Sequence, residues 1–318
     1  MTNVLIVETY AESYATALRE QFPELGVFTA ASADEDGLDG SDIDVLIAFG
    51  IGINDALLAR MRRLQWVQSL ATGVDHFLRS KTLRPEAILT SGRGIHGPAM
   101  RETVLHLMLS VAHDSNRLVT NRAQHLWERR PWPLLTGKTA LVIGTGVSGS
   151  AIGKLLQALG MRVVGVSRTP RAADGFDEIS SAAELPDLAG GADYLVNVLP
   201  GSDQNRHMIG RSVFERMKPT AYFINAGRGE TVDEGALIVC LREGRIAGAG
   251  LDVFATEPVP ADSPLWNMPN VFLTPHIGGL FIEYAEMAMP IVTHNMRCFL
   301  AGQTGAMQNW VDRAPKTP

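Results

Sequence analysis

The chain has 318 residues, enough for two domains or one large one, and its 46% apolar content argues against disorder. A net charge of −6 argues against nucleic acid or an anionic membrane as a main partner. Only Cys240 and Cys298 are present, far apart and in no metal-ligand spacing, so neither a disulfide framework nor a metal site is expected.

The chain opens Met-Thr-Asn-Val-Leu-Ile-Val-Glu8, reaching an acid too soon for a signal peptide. No run approaches the roughly 20 apolar residues of a membrane span, and a cytoplasmic protein is expected. Short apolar, β-branched runs then recur at Asn3–Val7, Asp44–Ala48, Ala140–Ile143, Arg162–Val166, Tyr194–Leu199, Ala221–Asn225, Gly248–Val253 and Val271–Thr274. Helical patterns such as Ile152–Leu159 and Glu234–Arg242 separate most of them. The alternation predicts an α/β protein with two doubly wound parallel sheets, their strands buried on both faces. Between the two series lies a helical, basic stretch from about Pro98 to Trp132. A last helical segment follows Gly279, interrupted by Pro290, and is expected to return to the first domain. The expected domains are residues 1–97 with 287–318, and residues 98–286.

Ala140-Leu-Val-Ile143 runs straight into Gly144-Thr145-Gly146-Val147-Ser148-Gly149, followed by a helix from about Ala151. G-x-G-x-x-G between a strand and a helix is a dinucleotide-binding turn. Its glycines give the tight bend, the approach of backbone to pyrophosphate and the close helix packing, and the helix N-terminus faces the phosphates. Gly137-Lys138-Thr139 is not a triphosphate loop, because Trp132 stands where such a loop needs its first glycine. The second strand of this series ends in Ser167-Arg168-Thr169, where an NAD site places an acid for the ribose hydroxyls. Two hydroxyls and a guanidinium suit a 2′-phosphate instead, which predicts NADP(H), with NAD(H) as the alternative.

Three further groups stand just past apolar strands. They are Arg228 in Asn225-Ala-Gly-Arg-Gly229, Glu257 before Pro258, and His276 in Thr274-Pro-His-Ile-Gly-Gly279. Open α/β sheets bind ligands at the carboxyl ends of their strands. There an Arg can grip a carboxylate and polarise a keto oxygen, while an imidazole supplies a proton. A carboxylate bonded to that imidazole orients it and favours its charged form. The other seven histidines, among them His96, are read as structural or solvated.

With these residues in place, the chain resembles the D-isomer-specific 2-hydroxyacid dehydrogenases over nearly its whole length. The shared pattern runs through Ser69-Leu-Ala-Thr-Gly-Val-Asp75, Gly144–Gly149, Asn197-Val-Leu-Pro200, Asn225–Gly229, Gly250-Leu-Asp-Val253, Glu257-Pro258 and Pro275-His276. Its Ser167-Arg168-Thr169 looks like the NADPH-preferring glyoxylate/hydroxypyruvate reductase branch. The resemblance implies a flavodoxin-like substrate domain and a Rossmann domain, with Arg228, Glu257 and His276 as the catalytic set. It also implies a cofactor held by Asp252, by the Leu199-Pro200 turn, and by Ala226 and Gly278. Backbone amides at Ala71, Thr72 and Gly73 would bind the carboxylate of a small 2-keto or 2-hydroxy acid. A homodimer formed through the stretch after residue 98 is expected as well. Glu257 disfavours a formate dehydrogenase, where Gln is expected, and the family also contains a dinucleotide-sensing corepressor, which a turnover assay separates.

Overall fold

The computed structural model describes residues 1–35 and 37–313; residues 314–318, assigned from the sequence to the first domain, lie outside the described residues. The chain forms two compact units, one of Met1–Ile95 with the segment from Phe281 onward, the other of His96–Leu280.

The first unit carries β1 (Asn3–Val7), β2 (Gly26–Ala30), β3 (Val45–Ala48), β4 (Trp66–Ser69) and β5 (Ile88–Thr90). Its helices are α1 (Ala11–Gln21), α2 (Asp55–Arg60), α3 (Asp75–Arg79) and, from the end of the chain, α10 (Tyr284–Leu300). The strands pair in parallel in the order β2-β1-β3-β4-β5, the flavodoxin-like arrangement. Val4, Ile6, Val45 and Ile47 pack with Tyr14, Leu18, Val292 and Met296, while Leu5, Val7 and Leu46 meet Leu57, Met61 and Phe77. Both faces are therefore covered, which is why β1 and β3 are apolar at every position. Burying each such side chain contributes roughly 1.5–3 kcal/mol.

The second unit carries β6 (Thr139–Ile143), β7 (Arg162–Ser167), β8 (Glu178–Ser181), β9 (Tyr194–Asn197), β10 (Tyr222–Asn225), β11 (Gly248–Leu251) and β12 (Val271–Leu273). Its helices are α4 (Gly97–Ala112), α5 (Ser115–Ala123), α6 (Val147–Ala158), α7 (Leu185–Ala189), α8 (Arg211–Phe214) and α9 (Glu234–Arg242). The all-parallel order is β12-β11-β10-β9-β6-β7-β8, a Rossmann sheet extended by one strand. Ala140 and Val142 face Val104, Leu107 and Met108 of α4 and Ile152 of α6. Leu141 and Ile143 face the opposite layer, with Leu185, Phe214 and Leu237. The order reverses between β6 and β9, and such a switch point opens a crevice at the strands' carboxyl ends.

Two sequence expectations are corrected. The helical stretch from Pro98 to Trp132 is shorter and broken: α4 ends at Ala112, Asp114 is left-handed (φ 55°), and α5 stops at Ala123. Asp tolerates that backbone better than most residues because its short polar side chain bonds locally. The helix expected from about Ala151 begins at Val147, which puts the last glycine of the motif inside its first turn. Among the described residues, no helix is long and apolar enough to cross a membrane.

Candidate active site

The turn after β6 has the geometry a dinucleotide requires. Gly144 takes φ +111°, and a Cβ on Gly149 would stand 1.9 Å from the Gly144 carbonyl oxygen, so the strand and α6 meet only with glycine there. Beside Gly146, by contrast, a Cβ would meet no atom within 4 Å, which leaves space for a phosphate group. The first amides of α6, at Val147, Ser148 and Gly149, have no intrahelical partner and carry the helix's positive end. The residues present therefore fit the cofactor.

Ser167 closes β7, and its Oγ accepts from the Thr169 N–H at 3.3 Å, bending the chain where Arg168 leaves the sheet. Arg168 is exposed and donates to Gln204 Oε1, from the turn that follows Leu199 and Pro200. Asp174, the next acid downstream, is engaged by Lys154 Nζ at 2.9 Å. The Gln204 contact was not legible in the sequence, since it joins the ends of two different strands.

Arg228 follows β10 over a buried polar cluster. Asn197 Nδ2 donates to Asn225 Oδ1 and to Thr231 Oγ1, both at 2.8 Å, and Thr231 Oγ1 in turn donates to the Arg228 carbonyl at 2.6 Å. Asn197 also accepts from the Leu199 N–H and Asn225 from the Gly227 N–H, at 3.1 and 3.2 Å. Two strand-end asparagines thus fix the Leu199-Pro200 and Ala226–Arg228 segments together. Asn225 is visible in the sequence as a polar residue closing an apolar run and Asn197 as one inside a run, but the partners of neither are.

Glu257 and His276 meet, with Nδ1 2.7 Å from Glu257 Oε2. The other carboxylate oxygen accepts from the Phe254 N–H at 2.9 Å. Burial works against the Glu257 carboxylate, but the hydrogen bonds from His276 and Phe254 and the charge of Arg228 hold it below the ordinary carboxyl range. His276 itself is left-handed (φ 52°), a strained backbone for a non-glycine residue that its surroundings must maintain.

Asp252 maintains it. This carboxylate is 2% exposed and accepts from Thr274 Oγ1 at 2.6 Å, the Ile277 N–H at 3.0 Å and the Gly278 N–H at 2.9 Å. The Asp252 carbonyl also receives the His276 N–H at 2.9 Å. Asp252 is thus the clamp of the turn that presents His276. Thr103 of α4 adds a bond to the Gly278 carbonyl at 3.1 Å. His96, read from sequence as structural or solvated, stands beside this turn.

Within the first unit, Ala71, Thr72 and Gly73 lie between β4 and α3, at a strand's carboxyl end. The Leu70 carbonyl accepts from Tyr284 Oη at 2.7 Å and the Ala71 carbonyl from the Gly92 N–H at 2.9 Å, which fixes the peptide planes of this turn.

A family model described as D-isomer specific 2-hydroxyacid dehydrogenase, NAD binding domain, matches residues 105–278. The chain belongs to this family. A glyoxylate/hydroxypyruvate reductase B from Yersinia enterocolitica is 36% identical over 272 residues, 81% of each chain. Among solved structures, a D-isomer specific 2-hydroxyacid dehydrogenase family protein from Aeromonas salmonicida has a TM-score of 0.89 at 34% identity, covering 98% of this chain and 99% of that one. The NADPH-dependent glyoxylate/hydroxypyruvate reductase of Sinorhizobium meliloti, solved with NADP and sulfate, has a TM-score of 0.84 at 29% identity, with coverage of 98% and 99%. This 2-hydroxyacid dehydrogenase is accordingly an oxidoreductase acting on CH–OH groups, and its second unit is the dinucleotide-binding one.

Proposed function

We propose that this dehydrogenase uses NADPH to reduce small 2-keto acids, glyoxylate and hydroxypyruvate among them, to D-2-hydroxy acids. Bound at the glycine turn, the dinucleotide supplies the hydride. Ser167, Arg168 and Thr169 receive its 2′-phosphate, and the Leu199-Pro200 and Ala226 segments lie along it. Arg228 grips the substrate carboxylate and draws electron density toward the keto oxygen. His276 gives its proton to that oxygen. Because Nδ1 is turned to Glu257, delivery falls to Nε2, and the carboxylate both orients the ring and stabilises the imidazolium. In the first unit, the corresponding proposal is that the amides of Ala71, Thr72 and Gly73 bind carboxylate.

The observation that carries this reading is the Glu257–His276 pair on a left-handed turn clamped by Asp252. Its test is turnover of keto acids by wild type and His276→Asn, followed as NADPH absorbance. Asn keeps a polar group of similar size without a titrating proton, so kcat should fall by about 10²–10⁴-fold while NADPH still binds. Near-normal kcat in the variant would remove His276 from the role of acid.

A second copy of the chain is the proposed partner. Leu118, Val119, Leu126, Trp132 and Leu134 are exposed, as is Trp127 at 91%, and so many large apolar side chains in one stretch of chain suit a surface that a partner covers. Light scattering on a sizing column should give twice the 34.4 kDa of one chain. Cys240 and Cys298, free and buried, suit a reducing compartment, and we place the enzyme in the cytoplasm.

A further inference from the structure

We propose that the segment after α10 aims the carboxylate-binding turn of the first unit, and that Asn309 is its positioning residue. The inference rests on the proposal above that the amides of Ala71, Thr72 and Gly73 bind the substrate carboxylate, and it names what aims them.

A planar trans peptide sets its N–H opposite to its carbonyl. Whatever fixes the carbonyls of Leu70 and Ala71 therefore also fixes the N–H groups of Ala71 and Thr72. Tyr284 Oη donates to the first carbonyl at 2.7 Å. The Gly92 N–H at 2.9 Å and Ser69 Oγ at 3.2 Å donate to the second. Gly92 lies hard against the turn: a Cβ there would stand 2.0 Å from the Leu70 carbonyl oxygen, so only glycine permits the contact. Yet β5 ends at Thr90, and Ser91, Gly92 and Arg93 continue beyond the parallel ladder. Their position has to be set from elsewhere.

The segment after α10 sets it. The Val311 N–H donates to the Leu89 carbonyl at 2.9 Å and the Ser91 N–H to the Asn309 carbonyl at 3.0 Å, so this stretch runs antiparallel along the edge strand β5. Asn309 is left-handed there (φ 57°), a backbone that Asn adopts more readily than most residues. Its Nδ2 donates to the carbonyls of Ser91 at 3.1 Å and Arg93 at 2.7 Å, bracketing Gly92 from both sides. Buried Asn295 of α10 grips the preceding residue: its Oδ1 accepts from the Gln308 N–H at 2.7 Å, and its Nδ2 donates to the Gln308 carbonyl at 3.1 Å. The contacts thus run from α10 through Gln308 and Asn309 to Gly92 and on to the Ala71 carbonyl, all within the first unit. Without the two side-chain bonds of Asn309, a glycine with wide conformational freedom is left to hold the turn.

The test uses the full chain with NADPH and hydroxypyruvate, in wild type, Asn309→Gly and Arg313→Ala. Glycine keeps the left-handed backbone and the bond from the Ser91 N–H, and removes only the two side-chain bonds. Arg313 lies on the same segment but donates to the carbonyls of Leu83, Arg84 and Ala87, before β5 rather than after it. Both variants should lower Tm. Only Asn309→Gly should raise KM for hydroxypyruvate, by about 5- to 20-fold, with kcat changed less than about threefold. NADPH affinity, read from nicotinamide fluorescence, should be unchanged in both. Hydrogen exchange needs no substrate: the amides of Ala71 and Thr72 should exchange about tenfold faster in Asn309→Gly and at the wild-type rate in Arg313→Ala. If the glycine variant is insoluble, Asn309→Asp, similar in size but without a donor, carries the same expectation. Unchanged KM or unchanged exchange in the Asn309 variant, or an equal rise in both variants, overturns the role of Asn309 and leaves the reductase reading in place. A wild type that reduces no 2-keto acid overturns the reductase reading instead. Faster exchange would then still sustain the hold of Asn309 on the turn, and unchanged exchange would overturn it.

Discussion

The seven-stranded sheet divides at its switch point into two halves that are built by different means. On the β6–β7–β8 side, the glycine turn is shaped by missing atoms: Gly149 admits the approach of strand and helix, and the space beside Gly146 stays open. On the β9–β10–β11–β12 side, the reactive residues are held by added atoms, through Asn197, Asn225, Thr231 and the carboxylate of Asp252. Steric complementarity suffices to seat a large, many-contact ligand. Proton transfer needs one nitrogen aimed at one oxygen, and directional hydrogen bonds supply that aim.

The largest effect should come from breaking the steric half. Gly149→Val places side-chain atoms where the Gly144 carbonyl stands, so NADPH affinity measured by fluorescence titration should fall by more than about 100-fold. Retained affinity would show that the turn is not the binding element. Asp252→Ala attacks the directional half. Three donors lose their acceptor and the left-handed His276 loses its restraint, so kcat should drop by about 10²-fold, with a smaller change in NADPH affinity. An equal loss of kcat and of cofactor binding would merge the two halves.

A smaller effect sharpens the cofactor half. Removing the guanidinium in Arg168→Ala should raise KM for NADPH by about 10- to 50-fold and leave KM for NADH nearly unchanged. Gln204→Ala, which frees Arg168 without changing its charge, should raise KM for NADPH by only about two- to fivefold. Parallel changes with both cofactors would take the 2′-phosphate away from this loop.

The smallest effect concerns the other half and its pH dependence. Histidine in the unfolded chain titrates near 6.5 and His96 at about 4, so between these values the unfolded state binds more protons than the native one. His96 therefore contributes stability above pH 6.5 that is lost as pH falls through about 4. In His96→Gln the fall in Tm between pH 7 and pH 4.5 should be shallower, by about 2–4 °C. An unchanged slope would mean that the ring is not held neutral.

The same contrast explains what could be read in the sequence. Glycines forced by sterics, and strands covered on both faces such as β1, β3 and β6, leave their mark on the chain itself. The strands that escaped notice lack that mark. β2 and β8 are edge strands covered on one side only, so Gly26–Ala30 and Glu178–Ser181 carry no continuous apolar run. β4 is central yet polar in part, because Gln68 Oε1 accepts from Thr90 Oγ1 and Asn295 Nδ2, the latter far along the chain. The long helix read through Asp114 fails at one left-handed residue that has no signature in periodicity. Arg228, Glu257 and His276 drew attention because each follows a strand. The clamp of Asp252, the bond from Gln204 and the neutral state of His96 depend on neighbours that only folding brings near.

The most direct test of the account is kcat/KM of the wild-type enzyme for hydroxypyruvate with NADPH and with NADH, followed at about 340 nm. Arg168 and the two hydroxyl residues that flank it predict at least about a tenfold preference for NADPH. Equal or faster turnover with NADH would contradict the 2′-phosphate site, and no cofactor oxidation with any 2-keto acid would contradict the chemistry assigned to Arg228 and His276.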